Sequence, residues 1–268
     1  GNHFANNFEI WCDNQVMQTA ANTQDRVRSI LLIVATIGTI VFNGLAATGY
    51  VNNVTPELIS NKYPTVLTPA GYAFAIWSLI YLGMLAFSLY QVLPSNVARF
   101  RPVRSLYIAT CVLNCAWIYF WHRDQIGVCL VLIVGLLLTL IGMLILLRRA
   151  GGSPLWTNAP FGIYAGWVTA ATLVNFTIFL KYIGAEISPT AWNALGVATL
   201  VIAAGLAFVV RWRLQNYIYP LAIAWAATAI AVKQSGNTAI VVAAAFCTVT
   251  CLVVAGSVVT SLKDSTSE

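Results

Sequence analysis

Residues 128–147 have the sequence VCLVLIVGLLLTLIGMLILL, and this stretch decides the fold class. It contains no charged side chain, and it is apolar on every face of a helix. A helix of about 20 apolar residues spans the hydrocarbon core of a bilayer. A strand of a membrane barrel would instead alternate polar and apolar positions. The stretch therefore predicts a transmembrane helix.

Similar apolar runs recur along almost the whole chain. Of its 268 residues 59% are hydrophobic and 8% are charged, whereas soluble domains carry about 25% charged residues. We expect eight transmembrane spans, at 29–50, 69–92, 103–122, 126–147, 160–182, 190–210, 216–233 and 238–260. The seventh span is short and has Pro220 in its first turn, where proline is tolerated. The predicted fold class is all-α, a polytopic helical bundle in a membrane.

The basic residues alternate between the two ends of these spans. One side would carry Arg26, Arg28, Arg99, Arg101, Arg104, Arg148, Arg149, Arg211, Arg213 and Lys263. The other side would carry Lys62, Arg123, Lys181 and Lys233. Because Lys and Arg accumulate on the cytoplasmic side, we expect both termini in the cytoplasm, with the protein in a bacterial plasma membrane or an organelle membrane. The net charge of +6 then reflects topology and contact with anionic lipids, and it does not indicate nucleic-acid binding.

Catalytic and metal-binding groups are sparse in the predicted spans. All eight acidic residues fall in predicted loops or tails, and no Lys, Arg or His lies in the middle of a span. Ion-coupled transport usually needs an ionisable group inside the membrane, and no phosphate-binding glycine loop, HExxH or GxSxG motif is present. The cysteine pairs Cys111/Cys115 and Cys247/Cys251 lack His or acidic partners, so no metal site is predicted. The sequence gives no indication of an enzyme.

Three spans carry aromatic and amide side chains at helical spacing. These are Phe74, Trp77, Tyr81 and Ser88 in the second span, Asn114, Trp117 and Trp121 in the third, and Tyr164, Trp167, Ala171 and Asn175 in the fifth. An aromatic wall with a few polar groups is typical of a small-molecule pocket, but such stripes also pack apolar helices together, so spacing alone leaves both interpretations open. In the fifth span, Gly162, Gly166 and Ala170 form a ridge of small residues that would let another helix approach closely.

Three segments resemble the TspO/translocator protein family, also called tryptophan-rich sensory proteins. They are TPAGYAFAIWSLIYLGM (68–84), LNCAW (113–117) and WVTAATLVN (167–175), in the order of the family's second, third and fifth helices. The resemblance covers residues 29–183. The chain departs from the family in having three more helices, in lacking a second proline after Phe74, and in an interval from Phe74 to Trp77 that is one residue shorter.

The apolar pattern and the resemblance together divide the chain into four segments. A five-helix TspO-like domain would occupy 29–183, three further transmembrane helices 184–262, and a polar tail 263–268. Residues 1–28 would form a polar leader, in which Met17 is the expected natural start.

The resemblance also implies a function, because the family binds porphyrins and other tetrapyrroles, cholesterol and other lipids. We therefore expect a sensor- or receptor-like protein with a hydrophobic ligand, a porphyrin or a lipid, and no required cofactor. The expected lining residues are Trp77, Tyr81, Asn114, Trp117, Trp167, Ala171 and Asn175, with Tyr164 added from the same face of the fifth helix. The expected partners are membrane lipids, the ligand, and a second copy or a membrane complex. Two alternatives stay open: a small-molecule transporter, and an accessory subunit that docks through the apolar stretch 241–259.

Overall fold

The computed structural model describes residues 21–260, and every regular element in that range is helical. The elements are α1 (Thr23–Ala47), α2 (Pro56–Lys62), a 3₁₀ turn (Gly71–Ala75), α3 (Ile76–Tyr90), α4 (Arg104–Trp121), α5 (Ile126–Ala150), α6 (Asn158–Tyr182), α7 (Pro189–Arg213), α8 (Tyr219–Lys233) and α9 (Thr238–Gly256). Six segments within 21–260 are long and apolar enough to cross a membrane. The prediction of a polytopic helical membrane protein is confirmed. The predicted start at Met17 and the tail at 263–268 lie outside the described residues.

The eight predicted spans correspond, in order, to the helices of the bundle other than the short α2. Six of them, with the 3₁₀ turn counted as the start of α3, are the candidate membrane spans. The other two are α4, with 18 residues, and α8, with 15 residues and a proline in its first turn. The protein is therefore an integral membrane protein, while the type of membrane and the orientation of the termini stay predictions.

Helix α1 begins earlier than the sequence pattern predicts, and this corrects the placement of Asp25 in a loop. The Asn22 side chain accepts a hydrogen bond from the Asp25 amide at 2.8 Å, and the Asp25 carboxylate accepts one from the Asn22 amide at 3.2 Å. This capping box satisfies two free amide groups at the start of the helix. Asp25 is buried because the Arg101 guanidinium pairs with it at 2.6 Å. Glu57 likewise lies in a helix, α2, and is exposed.

Helix α6 lies at the centre of the bundle. It contacts α3, α5, α7 and α8, and 56% of its apolar window is buried, the largest share among the candidate spans. The outer faces of the surrounding helices carry exposed Leu, Ile, Val and Phe side chains, which suits contact with lipid chains. The residues of α6 that the sequence analysis singled out therefore face protein on most sides.

The ridge of small residues on α6 accepts α8, as the sequence pattern predicted for a neighbouring helix. A Cβ atom added at Gly166 would overlap the carbonyl oxygen of Tyr219 and lie 2.8 Å from Cβ of Ala222. One turn further along, the hydroxyl groups of Thr169 and Tyr219 are hydrogen bonded at 2.6 Å. Close backbone approach of this kind is how membrane helices gain packing energy. Helix α8 is thus packed tightly against α6.

The basic residues within 21–260 lie at the two ends of the bundle in the predicted alternation, and Lys263 lies outside the described residues. At one end Arg28 is hydrogen bonded to Ser105, and Arg148 donates to the carbonyl oxygen of Arg213. At the opposite end Lys62 forms an ion pair. The two ends thus carry the groups that the positive-inside pattern assigned to opposite sides of the membrane.

Candidate ligand-binding site

A small apolar cavity of about 50 Å³ lies between α3, α4, α6 and α8, and we call it the inner cavity. Five aromatic rings line it, those of Phe74, Trp77, Trp117, Trp121 and Trp167. The other lining residues are Ser60, Pro69, Ala170, Ala171, Val174, Asn175, Ile178, Ala226 and Ile230. A space of this size holds only a few water molecules. It is far below the roughly 300–1,000 Å³ of a typical ligand pocket.

A second cavity of about 420 Å³ lies beside the first, between α1, α2 and α3, and we call it the outer cavity. Its lining residues are Ile40, Asn43, Gly44, Ala47, Thr55, Pro56, Glu57, Phe74, Trp77, Ser78, Tyr81 and Ile118. Phe74 and Trp77 belong to both linings. Their rings therefore form the partition between the two cavities.

The partition rests on the transition from the 3₁₀ turn to α3. Phe74 belongs to the 3₁₀ turn and Trp77 to the first turn of α3. Because a 3₁₀ helix has three residues per turn, side chains three positions apart point to the same side. Both rings make edge contacts with Trp167, with ring centroids 6.1 and 6.3 Å apart. Trp77 also stacks on Tyr81 at 5.7 Å. Such contacts are favourable arrangements for aromatic pairs, so the partition is a packed cluster of rings.

Two buried donor groups at the inner cavity have no hydrogen-bond partner among the described residues: the indole nitrogen Nε1 of Trp167 and the amide nitrogen Nδ2 of Asn175. Their residues are 4% and 2% exposed. The Asn175 side chain is fixed because its Oδ1 accepts a hydrogen bond from Trp117 Nε1 at 3.2 Å. An unsatisfied buried donor costs about 1–3 kcal/mol. Two residues that line the inner cavity thus each carry a buried donor that an acceptor atom of water or of a ligand would satisfy.

A buried hydrogen-bond chain connects three helices beside the cavities. Asn43 of α1 donates to Oδ1 of Asn114 on α4 at 2.7 Å, and Asn114 donates to the hydroxyl oxygen of Tyr164 on α6 at 2.8 Å. All three residues are buried. Buried polar groups in a membrane protein need such partners because the bilayer core supplies none. The chain fixes the relative positions of α1, α4 and α6.

Helix α2 covers one end of both cavities, because Ser60 lines the inner and Pro56 the outer one. Trp121 Nε1 donates to the carbonyl oxygen of Pro56 at 3.1 Å. Asp124, in the turn between α4 and α5, pairs with Lys62 and accepts a hydrogen bond from the Tyr63 hydroxyl at 2.8 Å. Burial and this hydrogen bond raise the pKa of Tyr63, and the carboxylate raises the pKa of Lys62. These contacts fix the position of α2.

A family model described as TSPO-like protein matches residues 29–257. The chain belongs to this family. The match includes the aromatic helices α3, α4 and α6, and it also covers the whole of α7, α8 and α9. The boundary expected at residue 184 stays a prediction. No curated protein and no solved structure matches the chain.

The structure of this family member separates the predicted site residues into three groups. Trp77, Trp117, Trp167, Ala171 and Asn175 line the inner cavity. Tyr81 lines the outer cavity, together with Trp77. Asn114 and Tyr164 line neither of the two and belong to the buried hydrogen-bond chain. Ser88 lies on yet another surface of α3, hydrogen bonded to Thr36 at 2.6 Å.

Several lining residues were not identified from the sequence, and Asn43, Ala226 and Ile230 are examples. Asn43 lines the outer cavity, and an amide inside an apolar span was the signal that could have found it. Ala226 and Ile230 of α8 close one side of the inner cavity. They carry no polar marker and lie in a helix that the motifs do not reach, so only the three-dimensional packing shows their role.

Replacing Tyr164 by phenylalanine tests the role of the hydrogen-bond chain. The variant removes the acceptor of Asn114 Nδ2, and we expect the free energy of unfolding to fall by about 1–3 kcal/mol. Binding of protoporphyrin should change little, because Tyr164 lines neither cavity. The matched control is Tyr119→Phe, whose ring is 39% exposed and whose loss of a hydroxyl should be close to neutral. Thermal unfolding in detergent measures both, and equal midpoints would contradict the prediction.

Proposed function

We propose that this TSPO-like protein is a receptor- or sensor-like membrane protein that binds a hydrophobic small molecule, a tetrapyrrole or a lipid, at the partition between the two cavities. The observation that carries the proposal is the pair of unpartnered donors, Trp167 Nε1 and Asn175 Nδ2, at a cavity otherwise lined by aromatic rings. A few fixed polar groups in an apolar pocket are typical of small-molecule sites. The suitable ligand is largely apolar and carries a hydrogen-bond acceptor.

The volumes of the two cavities favour a particular mode of binding. The outer cavity, about 420 Å³, is within the usual range for ligand pockets, whereas the inner cavity is too small for a macrocycle or a sterol. We infer that the body of the ligand occupies the outer cavity against the rings of Trp77 and Tyr81. Its acceptor group then reaches the inner cavity after the ring of Phe74 moves.

Two features support movement of the Phe74 ring. Its backbone belongs to the 3₁₀ turn at the start of α3, a conformation with poorer hydrogen-bond geometry than an α-helix. The side-chain amides on the two sides of the partition are fixed. Asn43 donates a hydrogen bond to Asn114, and Asn175 accepts one from Trp117. The polar groups would therefore stay in place while the partition opens. A flat aromatic ligand would replace the lost ring contacts by stacking.

Titration of the purified protein with protoporphyrin tests the proposal. Trp167→Phe removes the indole donor. Asn175→Leu removes the amide donor together with the acceptor of Trp117 Nε1. We expect each variant to weaken binding by up to about tenfold, the value of one neutral hydrogen bond. The control is Trp212→Phe on α7, whose ring is 44% exposed and stacks on Phe208 outside both cavities.

The readout is the absorbance change of the porphyrin together with quenching of tryptophan fluorescence, and competition by cholesterol tests the lipid alternative. Unchanged affinity in both donor variants would place the ligand elsewhere in the protein. A lack of saturable binding for protoporphyrin, cholesterol and phospholipid alike would contradict the receptor function.

A further inference from the structure

A second candidate site lies away from the aromatic cavities, at the end of the bundle where α6 and α8 end and α7 and α9 begin. It is a groove of about 540 Å³, which we call the basic groove. Its lining residues are Pro64, Thr65, Val66, Thr68, Lys181, Pro189, Trp192, Asn193, Lys233, Gln234 and Asn237. None of these residues lines the inner or the outer cavity.

The groove carries two positive charges that no carboxylate neutralises within residues 21–260. Lys181 and Lys233 are exposed, and among the described residues neither forms an ion pair or a side-chain hydrogen bond. The lining includes no acidic residue. Glu186, the acidic residue nearest to Lys181 along the chain, is exposed and lies outside the lining. Two unneutralised ammonium groups beside one groove attract an anion.

Hydrogen bonds hold the walls of the groove in place. Asn237 donates to Oδ1 of Asn193 at 2.7 Å, which connects the starts of α9 and α7. Gln234 donates to the carbonyl oxygens of Thr65 and Thr68, at 3.1 Å each, which connects α8 to the segment before the 3₁₀ turn. These hydrogen bonds fix the shape of the groove, which is formed by the segment before the 3₁₀ turn and by the ends of α6, α7, α8 and α9.

The position of the groove at the helix ends sets the kind of anion that reaches it. Lys181 and Lys233 lie in the last turns of α6 and α8, so the groove opens at the level where the membrane meets water. The half-buried ring of Trp192 is of the type enriched at that level. Basic pockets between transmembrane helices on the cytoplasmic or matrix side take lipid head groups, and the same charge attraction acts on the opposite side, where the predicted topology places this groove.

We propose that the basic groove binds a phosphate group, with Lys181 and Lys233 as its cationic partners and the free amide hydrogens of Asn193 as further donors. Two sources share this chemistry, a phospholipid head group and a soluble phosphate. The proposal is independent of ligand binding in the aromatic cavities, because the two sites share no lining residue.

The experiment uses the full chain in nanodiscs of phosphatidylcholine with and without phosphatidylglycerol, and native mass spectrometry counts the retained anionic lipids. The double variant Lys181→Gln/Lys233→Gln is expected to bind phosphatidylglycerol about 30-fold more weakly, which corresponds to about 1 kcal/mol for each lysine. Lys181→Arg/Lys233→Arg should retain binding. Arg123→Gln is the matched control, since it removes a cation from the same end of the bundle but from the ring of Tyr119.

Inorganic phosphate distinguishes the two sources. Displacement of the lipid by inorganic phosphate would show that the phosphate group alone is recognised, and retention of the lipid would show that its acyl chains add to the affinity. Equal retention of phosphatidylglycerol by the wild type, the Gln double variant and the Arg123→Gln control would overturn the proposal. The thermal midpoint and protoporphyrin binding should stay unchanged in the Gln double variant, because both lysines are exposed and unpaired.

Discussion

Replacing Asp25 by alanine is expected to lower the free energy of unfolding by about 3–5 kcal/mol. The carboxylate is buried and pairs with Arg101, and its Oδ1 lies 3.9 Å from Nη1 of Arg104. The side chain of Arg104 is fully buried, and Nη1 has no hydrogen-bond partner among the described residues. Removing the carboxylate would therefore leave a buried guanidinium without its counter-charge. Denaturant unfolding in detergent, followed by circular dichroism, measures the loss.

Two further variants test whether the loss of stability comes from the buried charge of Arg104. Glu186→Ala removes an exposed carboxylate, and such a change should stay within about 0.5 kcal/mol. Adding Arg104→Met to Asp25→Ala removes the uncompensated charge, so part of the lost stability should return. If the Asp25 variant were as stable as the Glu186 variant, the buried charge cluster would have no structural role.

Replacing Gly166 by alanine is expected to separate α6 from α8 and to cost about 1–3 kcal/mol or more through overpacking. The new Cβ would overlap the Tyr219 carbonyl oxygen and lie 2.8 Å from Cβ of Ala222. Because both contacts are with atoms close to or in the backbone, no side-chain rotation relieves them. The 2.6 Å hydrogen bond between the hydroxyl groups of Thr169 and Tyr219 would be stretched as well. Protoporphyrin binding should weaken, since α8 supplies one wall of the inner cavity.

Gly205→Ala is the matched control for this substitution. Gly205 is also a helical glycine, on α7, and a Cβ there meets no atom within 4 Å. Alanine should stabilise that helix by up to about 1 kcal/mol. Opposite shifts of the two thermal midpoints are the expected result, and equal midpoints would contradict a tight contact between α6 and α8.

Much of the fold could be predicted from the sequence because bilayer thickness and helix geometry set the length of a span. The exceptions have local causes. The start of α1 was missed because Asn22 and Asp25 look like a polar leader until their mutual hydrogen bonds are seen. The span predicted to begin at residue 69 begins with a 3₁₀ turn, preceded by Ala70, whose amide donates to the carbonyl oxygen of Ala229 at 2.9 Å. A partner so distant in sequence leaves no local pattern.

The candidate site could be predicted only in part, because helical spacing gives the face of a residue but not its partner. The stripe with Trp167 and Asn175 does reach a cavity. On α4, Asn114 shares a predicted face with Trp117. The amide of Asn114 is hydrogen bonded to Asn43 and Tyr164, however, while the indole of Trp117 lines the inner cavity. The contribution of α8 could not be predicted, since alanine and isoleucine in an apolar helix have no distinguishing pattern.

The wall that α8 contributes has a consequence for the order of biosynthesis. During translation the helices that carry the aromatic rings are made before Ala226 and Ile230, which line the inner cavity from α8. The nascent chain therefore passes through a stage in which this cavity lacks one side. The inner cavity is complete only after α8 has inserted.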